Sequence, residues 1–223
     1  MIVAKQKPIE EIIKSLEGFK KVLIAACGTC VTVCLAGGEK EALKLASVLG
    51  LEKEKKGESI EVKVITPKRQ CDAEFIEEFE QEINDADVVL SLGCGAGVQF
   101  MAEMFKTKVV LPGVNTSFIG VARDVGYWTE MCQGCGNCIL EKTGGICPVA
   151  RCSKSNFNGP CGGSSKGKCE IDPDVDCGWQ LIYDKLKALG RLDKLYDIME
   201  PKDWRTSRDG GPRRQRNEEM KID

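Results

Sequence analysis

The chemistry that this chain can perform depends on its cysteines. The sequence holds 13 cysteines and no histidine. Glycines and few large apolar residues separate eight of these cysteines, so this stretch has too little hydrocarbon to fold by burial alone. Thiolates bound to metal are the expected means of holding it together. The eight are Cys132, Cys135, Cys138, Cys147, Cys152, Cys161, Cys169 and Cys177.

Three kinds of link compete for these eight thiols. Disulfides are disfavoured, because residues 1–19 predict an acidic amphipathic helix rather than an export signal, which favours a reducing cytoplasm. Zinc would need all-thiolate sites, each of which uses four cysteines. The spacing C-x2-C-x2-C of Cys132, Cys135 and Cys138 is typical of three corners of a [4Fe-4S] cube, with a distant fourth ligand. We favour at least one such cluster, and leave one zinc ion open as an occupant of a second centre.

The first half of the chain alternates short apolar runs with amphipathic helical stripes. Such alternation predicts right-handed crossovers and an α/β fold, with a small parallel sheet flanked by helices in a flavodoxin- or Rossmann-like arrangement. The predicted strands lie at residues 21–26, 60–65, 87–92 and 108–111.

Five further cysteines follow the ends of these strands. In a flavodoxin-like order the first strand lies between the second and the third, so these cysteines are expected to converge at one edge of the sheet. The alternative is that they are scattered, buried and inert. We therefore predict a second metallocluster bound by Cys27, Cys30, Cys34 and Cys94, with Cys71 as a substitute or neighbour.

The predicted organisation has four parts. The α/β domain and the cysteine-rich lobe are followed by a helical segment, in which Trp179, Ile182 and Leu186 share a face, and by a charged, flexible tail. The expected bounds are residues 1–125, 126–178, 179–200 and 201–223.

The composition of the chain argues against several classes of function. The net charge of −2 offers no basic field for nucleic acid, and no apolar run reaches the roughly 18 residues of a membrane span. Without histidine, no Ser-His-Asp or Cys-His nucleophile pair exists. We therefore predict a cytoplasmic, non-catalytic protein that transfers electrons through metal centres.

The spacing of the cysteines resembles a known family. The runs CQGCGNCIL from residue 132, TGGICPVARCSKS from residue 143, NGPCGGS from residue 158, GKCE from residue 167 and DCGWQLIY from residue 176 are similar to the cysteine-rich "methylenetetrahydrofolate reductase C-terminal" family. The runs ACGTCVTVCLAGGEKE from residue 26 and RQCD from residue 69 resemble its stand-alone version, the MetV-type iron–sulfur small subunits.

The resemblance implies a function and a partner. Such small subunits accompany a TIM-barrel flavoprotein, which binds FMN and reduces methylenetetrahydrofolate to methyltetrahydrofolate in one-carbon metabolism, including the reductive acetyl-CoA pathway. The small subunit would carry two or more [4Fe-4S] clusters, relay electrons from ferredoxin or a larger redox complex, and be inactive alone. All 13 cysteines form the implied ligand pool. A zinc-stabilised adaptor that docks the flavoenzyme onto a redox assembly is the alternative.

Overall fold

Four buried strands form a parallel sheet in the first part of the chain. In the computed structural model, which describes residues 1–217, the chain divides into two units, Met1–Thr129 and Glu130–Asp223. The strands are β1 (Ile2–Gln6), β2 (Lys21–Ala25), β3 (Glu61–Ile65), β4 (Val88–Ser91), β5 (Val109–Pro112), β6 (Val114–Asp124) and β7 (Tyr127–Cys132). The helices are α1 (Ile9–Ser15), α2 (Cys30–Val33), α3 (Glu39–Lys55), α4 (Ala73–Glu77), α5 (Glu80–Asp85), α6 (Gly95–Met104), α7 (Pro148–Arg151) and α8 (Gly178–Ala188).

The parallel sheet has the order β3-β2-β4-β5. The predicted α/β fold is therefore confirmed, including the position of the first predicted strand between the second and the third. Side chains of β2 and β4 alternate between two apolar clusters, as expected for strands that are covered on both faces. On one face Ile24 and Leu90 pack with α1 and α3, and on the other Leu23 and Val89 pack with helical residues such as Met101.

A second sheet, of order β1-β6-β7, was not expected from the sequence. The predicted helix over residues 1–19 is wrong in its first part, because Ile2–Gln6 is a strand and the helix begins only at Ile9. Val3 and Ala4 are buried, and β1 runs antiparallel to β6. Most residues of β6 are exposed, so its sequence lacks the apolar alternation that usually identifies a strand.

The second unit has a small core built on α8. Trp179, Ile182 and Leu186 of this helix are buried with Met199, and the Trp179 indole N–H donates to the carbonyl oxygen of Asn156 at 2.9 Å. The helix ends before Gly190, and the Arg191 N–H donates to the Leu186 carbonyl oxygen at 2.8 Å. No helix within residues 1–217 is long and apolar enough to cross a membrane.

Candidate metal centres

Three cysteines meet at the carboxyl edge of the parallel sheet. Cys27, Cys71 and Cys94 follow β2, β3 and β4, and Cys94 directly precedes α6. Burial raises the pKa of the Cys71 thiol, and the neighbouring Cys94 and Cys27 raise it further, since one thiolate disfavours another beside it. Cys71 therefore lies near Cys27 and Cys94 at one edge of the sheet, and a metal centre formed by these thiols stays a prediction.

A buried amide, Gln70, fixes this group. Its side chain is 1 % exposed, and its Nε2 donates to the carbonyl oxygens of Ala25 and Ala26, each at 2.8 Å. Its Oε1 accepts a hydrogen bond from the Ser91 hydroxyl. Gln70 thus ties the loop that carries Cys71 to the ends of β2 and β4. The sequence analysis missed it, because a single glutamine before a cysteine has no periodicity that marks it as buried.

Close packing around Gln70 explains the glycines after β4. A Cβ atom at Gly93 would lie 2.6 Å from the Gln70 Oε1, and one at Gly97 would lie 2.7 Å from the Gln70 Cβ. Both distances are shorter than real Cβ contacts allow. The glycine-rich run around Cys94 therefore leaves room for the buried amide that precedes Cys71.

Replacing Gln70 with alanine is expected to lower the free energy of unfolding by about 3 kcal/mol, because two buried carbonyl groups and one hydroxyl each lose a hydrogen bond, although the Ala25 carbonyl oxygen keeps the one from the Leu92 N–H. Chemical denaturation followed by circular dichroism measures this change. Gln99→Ala is the matched control, since Gln99 donates only to the Gly95 carbonyl oxygen on the exposed surface of α6. Equal losses for the two variants would contradict the anchoring role.

The sulfur of Cys34 is held by backbone groups of β1 and α2. It is 5 % exposed, its Sγ accepts the Ala4 N–H at 3.4 Å, and it lies 3.6 Å from the Val31 carbonyl oxygen, to which its S–H can donate. Burial raises the pKa of the Cys34 thiol above its usual value. Cys34 therefore lies among apolar groups with its sulfur held by the backbone, and its role as a metal ligand stays a prediction. Cys30, at the start of α2, is half-buried and lies near it.

The cysteines with the C-x2-C-x2-C spacing lie on a loop after β7. Gly134 and Gly136 both have positive φ in this loop, which turns the backbone between successive cysteines. The Gly134 N–H donates to Cys132 Sγ at 3.3 Å, a contact that also stabilises metal-bound thiolates. Cys147 precedes Pro148, the first residue of α7.

The other four cysteines of the second unit line one small cavity. Its volume is about 20 Å³, and Pro160 and Trp179 form part of its wall. The four thiols come from separate segments, after α7, within two loops and before α8. The sequence spacing alone did not divide the eight cysteines in this way. The four that share the cavity are Cys152, Cys161, Cys169 and Cys177.

Hydrogen bonds reach two of the sulfur atoms at this cavity. The Gly163 N–H donates to Cys161 Sγ at 3.4 Å. The Ser153 hydroxyl lies 3.3 Å from Cys169 Sγ and lowers the pKa of that thiol, because it donates to the thiolate form. These contacts resemble the hydrogen bonds that surround thiolates bound to metal.

The donor set fits a thiophilic metal. Four thiols at one cavity match the all-cysteine sites of zinc and of iron–sulfur clusters. Within residues 1–217, no three Cys, Asp or Glu side chains already converge tightly enough to hold an ion. Binding of a single ion would therefore draw the thiols of the cavity inward.

Residues 202–213 lie against the loop that carries Cys132, Cys135 and Cys138. Sequence analysis predicts a flexible tail from residue 201, but Lys202, Thr206 and Arg213 all hydrogen-bond to the backbone of residues 134–137. Short 3₁₀ turns at Trp204–Thr206 and Arg208–Gly210 shape this segment. Residues 218–223 of the predicted tail lie outside the described residues.

A larger cavity lies far from the thiols of the first unit. It has a volume of about 230 Å³ at the amino ends of β2 and β3, and Lys21, Glu61, Lys63 and Asp85 are among its lining residues. None of its lining residues within the described chain is a cysteine. It holds charged, exposed side chains of both signs, and no group in it marks a substrate site.

Comparison with known families points to folate metabolism. Residues 111–205 match the family described as "Methylene-tetrahydrofolate reductase C terminal". The match covers less than half of the chain, includes all eight cysteines of the second unit, and supports a relation to this reductase family. It excludes the strand-end cysteines of the first unit. Comparisons with curated proteins and with solved structures found no match.

Proposed function

We propose that this chain is an electron-transfer and scaffolding subunit of a methylenetetrahydrofolate reductase system, and that it relays electrons to the FMN of a catalytic flavoprotein. The observation that carries the proposal is the cavity lined by Cys152, Cys161, Cys169 and Cys177, which lies inside the segment that matches the reductase family. The absence of histidine from the sequence also argues against acid–base catalysis by this chain.

Twelve of the 13 cysteines divide into three sets of four thiols. In this assignment Cys34 is not a ligand, because its sulfur is buried and held by the backbone of β1. Each remaining set lies within a single unit of the chain. The sets are Cys27, Cys30, Cys71 and Cys94; Cys132, Cys135, Cys138 and Cys147; and Cys152, Cys161, Cys169 and Cys177.

Residues of this chain would bind these centres and line the space around them. Iron–sulfur clusters, when bound, supply one-electron transfer. Backbone N–H groups of Gly134 and Gly163 donate to cysteine sulfur and so stabilise its negative charge. Trp179 and Pro160 line the second unit's cavity and add apolar surface beside its thiols.

The electron-relay role predicts a specific defect when the chain is left out. The flavoprotein partner alone should fail to reduce methylenetetrahydrofolate with reduced ferredoxin as donor, and adding this chain should restore the reaction. Steady-state formation of methyltetrahydrofolate measures the effect. A small artificial donor that reduces FMN directly is the control, and its rate should not depend on the chain. Full ferredoxin-driven activity of the flavoprotein alone would refute the relay role.

A zinc-stabilised adaptor is the second candidate. The cavity volume of about 20 Å³ is close to that of one water molecule, so it is nearer to the size of a single ion than to that of a cluster. A cluster of four irons and four sulfides requires the surrounding loops to part. In the adaptor role the chain would dock the flavoprotein onto a redox assembly without carrying electrons, and its metal would be colourless.

A further inference from the structure

The C-terminal segment of residues 199–213, here called the strap, is held onto the loop that carries Cys132, Cys135 and Cys138. At its start, the Asn158 side chain pairs with both backbone groups of Met199, each at 2.8 Å. Further along, the Thr206 hydroxyl donates to the Cys135 carbonyl oxygen at 2.9 Å. These bonds join residues that are 41 and 71 positions apart in the sequence, so the strap is a tertiary element.

Two cations of the strap are directed at the same loop. Arg213 Nη1 donates to the carbonyl oxygen of Gly134 at 2.7 Å and to that of Thr206 at 2.8 Å. Lys202 Nζ donates to the carbonyl oxygen of Asn137 at 2.5 Å. The nearby Arg205 is instead paired with Asp203. The loop carbonyl groups between the cysteines are thus occupied by positively charged donors.

The loop is shaped to receive the strap. A Cβ atom at Gly136 would lie 2.2 Å from the Thr206 carbonyl oxygen, so a side chain at this position would force the two segments apart. Gly136 also has a φ of +79°, which other residues rarely adopt. Ser207 is 6 % exposed, and its hydroxyl donates to the Trp204 carbonyl oxygen at 2.6 Å. The contact is therefore close-packed.

We propose that the strap positions the Cys132–Cys135–Cys138 thiols and that Lys202 and Arg213 tune the charge of the metal centre formed there. The proposal rests on the proposed function for the identity of that centre. A metal bound by thiolates is anionic, and reduction adds one more negative charge. Cations beside the loop stabilise the reduced form more than the oxidised form, so they raise the reduction potential. Arg213 and Lys202 are positioning residues, since they contact the loop backbone rather than the thiols.

The test compares three variants of the full chain: Arg213→Gln, Arg213→Lys and Arg214→Gln. Arg214 is the matched control because it is adjacent, equally charged and exposed, and within residues 1–217 it makes no hydrogen bond to the loop. Hydrogen exchange of the peptide containing residues 132–138, measured by mass spectrometry, reports how firmly the strap holds this loop. Redox titration of the purified protein reports the potential.

Arg213→Gln should speed exchange in the loop about tenfold, as expected for the loss of hydrogen bonds from a charged group, and should make the potential more negative. Arg213→Lys should speed exchange but keep the potential near that of the unmodified chain. Arg214→Gln should change neither.

Unchanged exchange in Arg213→Gln would overturn the positioning role, and an equal shift of potential in Arg214→Gln would overturn the specific charge effect. If the protein binds no redox metal, the proposed function fails, and the exchange result alone decides whether the strap holds the loop.

Discussion

Replacing Cys161 with serine is expected to abolish metal binding at the cavity of the second unit and to unfold much of that unit. Within residues 1–217, the core around α8 contains four buried apolar side chains, Trp179, Ile182, Leu186 and Met199, so the bound metal would supply a large share of the folding free energy. We expect the thermal midpoint of this unit to fall by about 10 °C or more. Calorimetry and metal analysis of the purified full chain measure both effects.

Ser164→Ala is the control for this prediction. Ser164 lines the same cavity but has no thiol, so this variant should keep its metal and its thermal midpoint. Cys161 is exposed, and its replacement creates no cavity in an apolar core. A Cys161→Ser protein with full metal content and unchanged stability would show that the four thiols at this cavity do not share one centre.

Replacing Cys71 with serine is expected to remove the metal centre of the first unit, whereas replacing Cys34 with alanine should leave that centre in place. Cys71 lies with Cys27 and Cys94 at the ends of three adjacent strands. Cys34 instead packs in the core beside Ala4. Metal analysis of the full chain should show the loss of one centre in Cys71→Ser and none in Cys34→Ala.

The Cys34→Ala variant should still be less stable, by about 1–2 kcal/mol in the free energy of unfolding, because a buried sulfur is lost from a packed core. Lower stability without loss of metal would identify Cys34 as a structural cysteine rather than a ligand. The opposite pattern, with metal lost in Cys34→Ala and kept in Cys71→Ser, would restore the ligand set that the sequence spacing favoured.

Sequence reasoning predicted the parallel sheet well because its strands are short, apolar runs that alternate with helical stripes. The run of residues 21–26 became β2, and its position between β3 and β4 is the one that a flavodoxin-like order predicts. The same reasoning missed β1, β6 and β7. Most residues of β6 are exposed, so its pairing depends on tertiary contacts rather than on a pattern of hydrophobicity.

The candidate site was predicted in part. Position after strand ends was enough to bring Cys27, Cys71 and Cys94 together, since parallel strands share one carboxyl edge. The direction of the Cys34 side chain was not predictable, because it depends on the unexpected strand β1, whose Ala4 N–H holds the sulfur. The strap was also missed, because its charged composition resembles that of a solvated tail.

The measurement that tests the account most directly is the content of iron, acid-labile sulfide and zinc in anaerobically purified full chain, with the visible spectrum recorded alongside. The account predicts about eight or more irons per chain with matching sulfide, and a brown colour that dithionite bleaches. Zinc without sulfide, in a colourless protein, would contradict the electron-relay role and leave the cysteines as structural ligands of an adaptor.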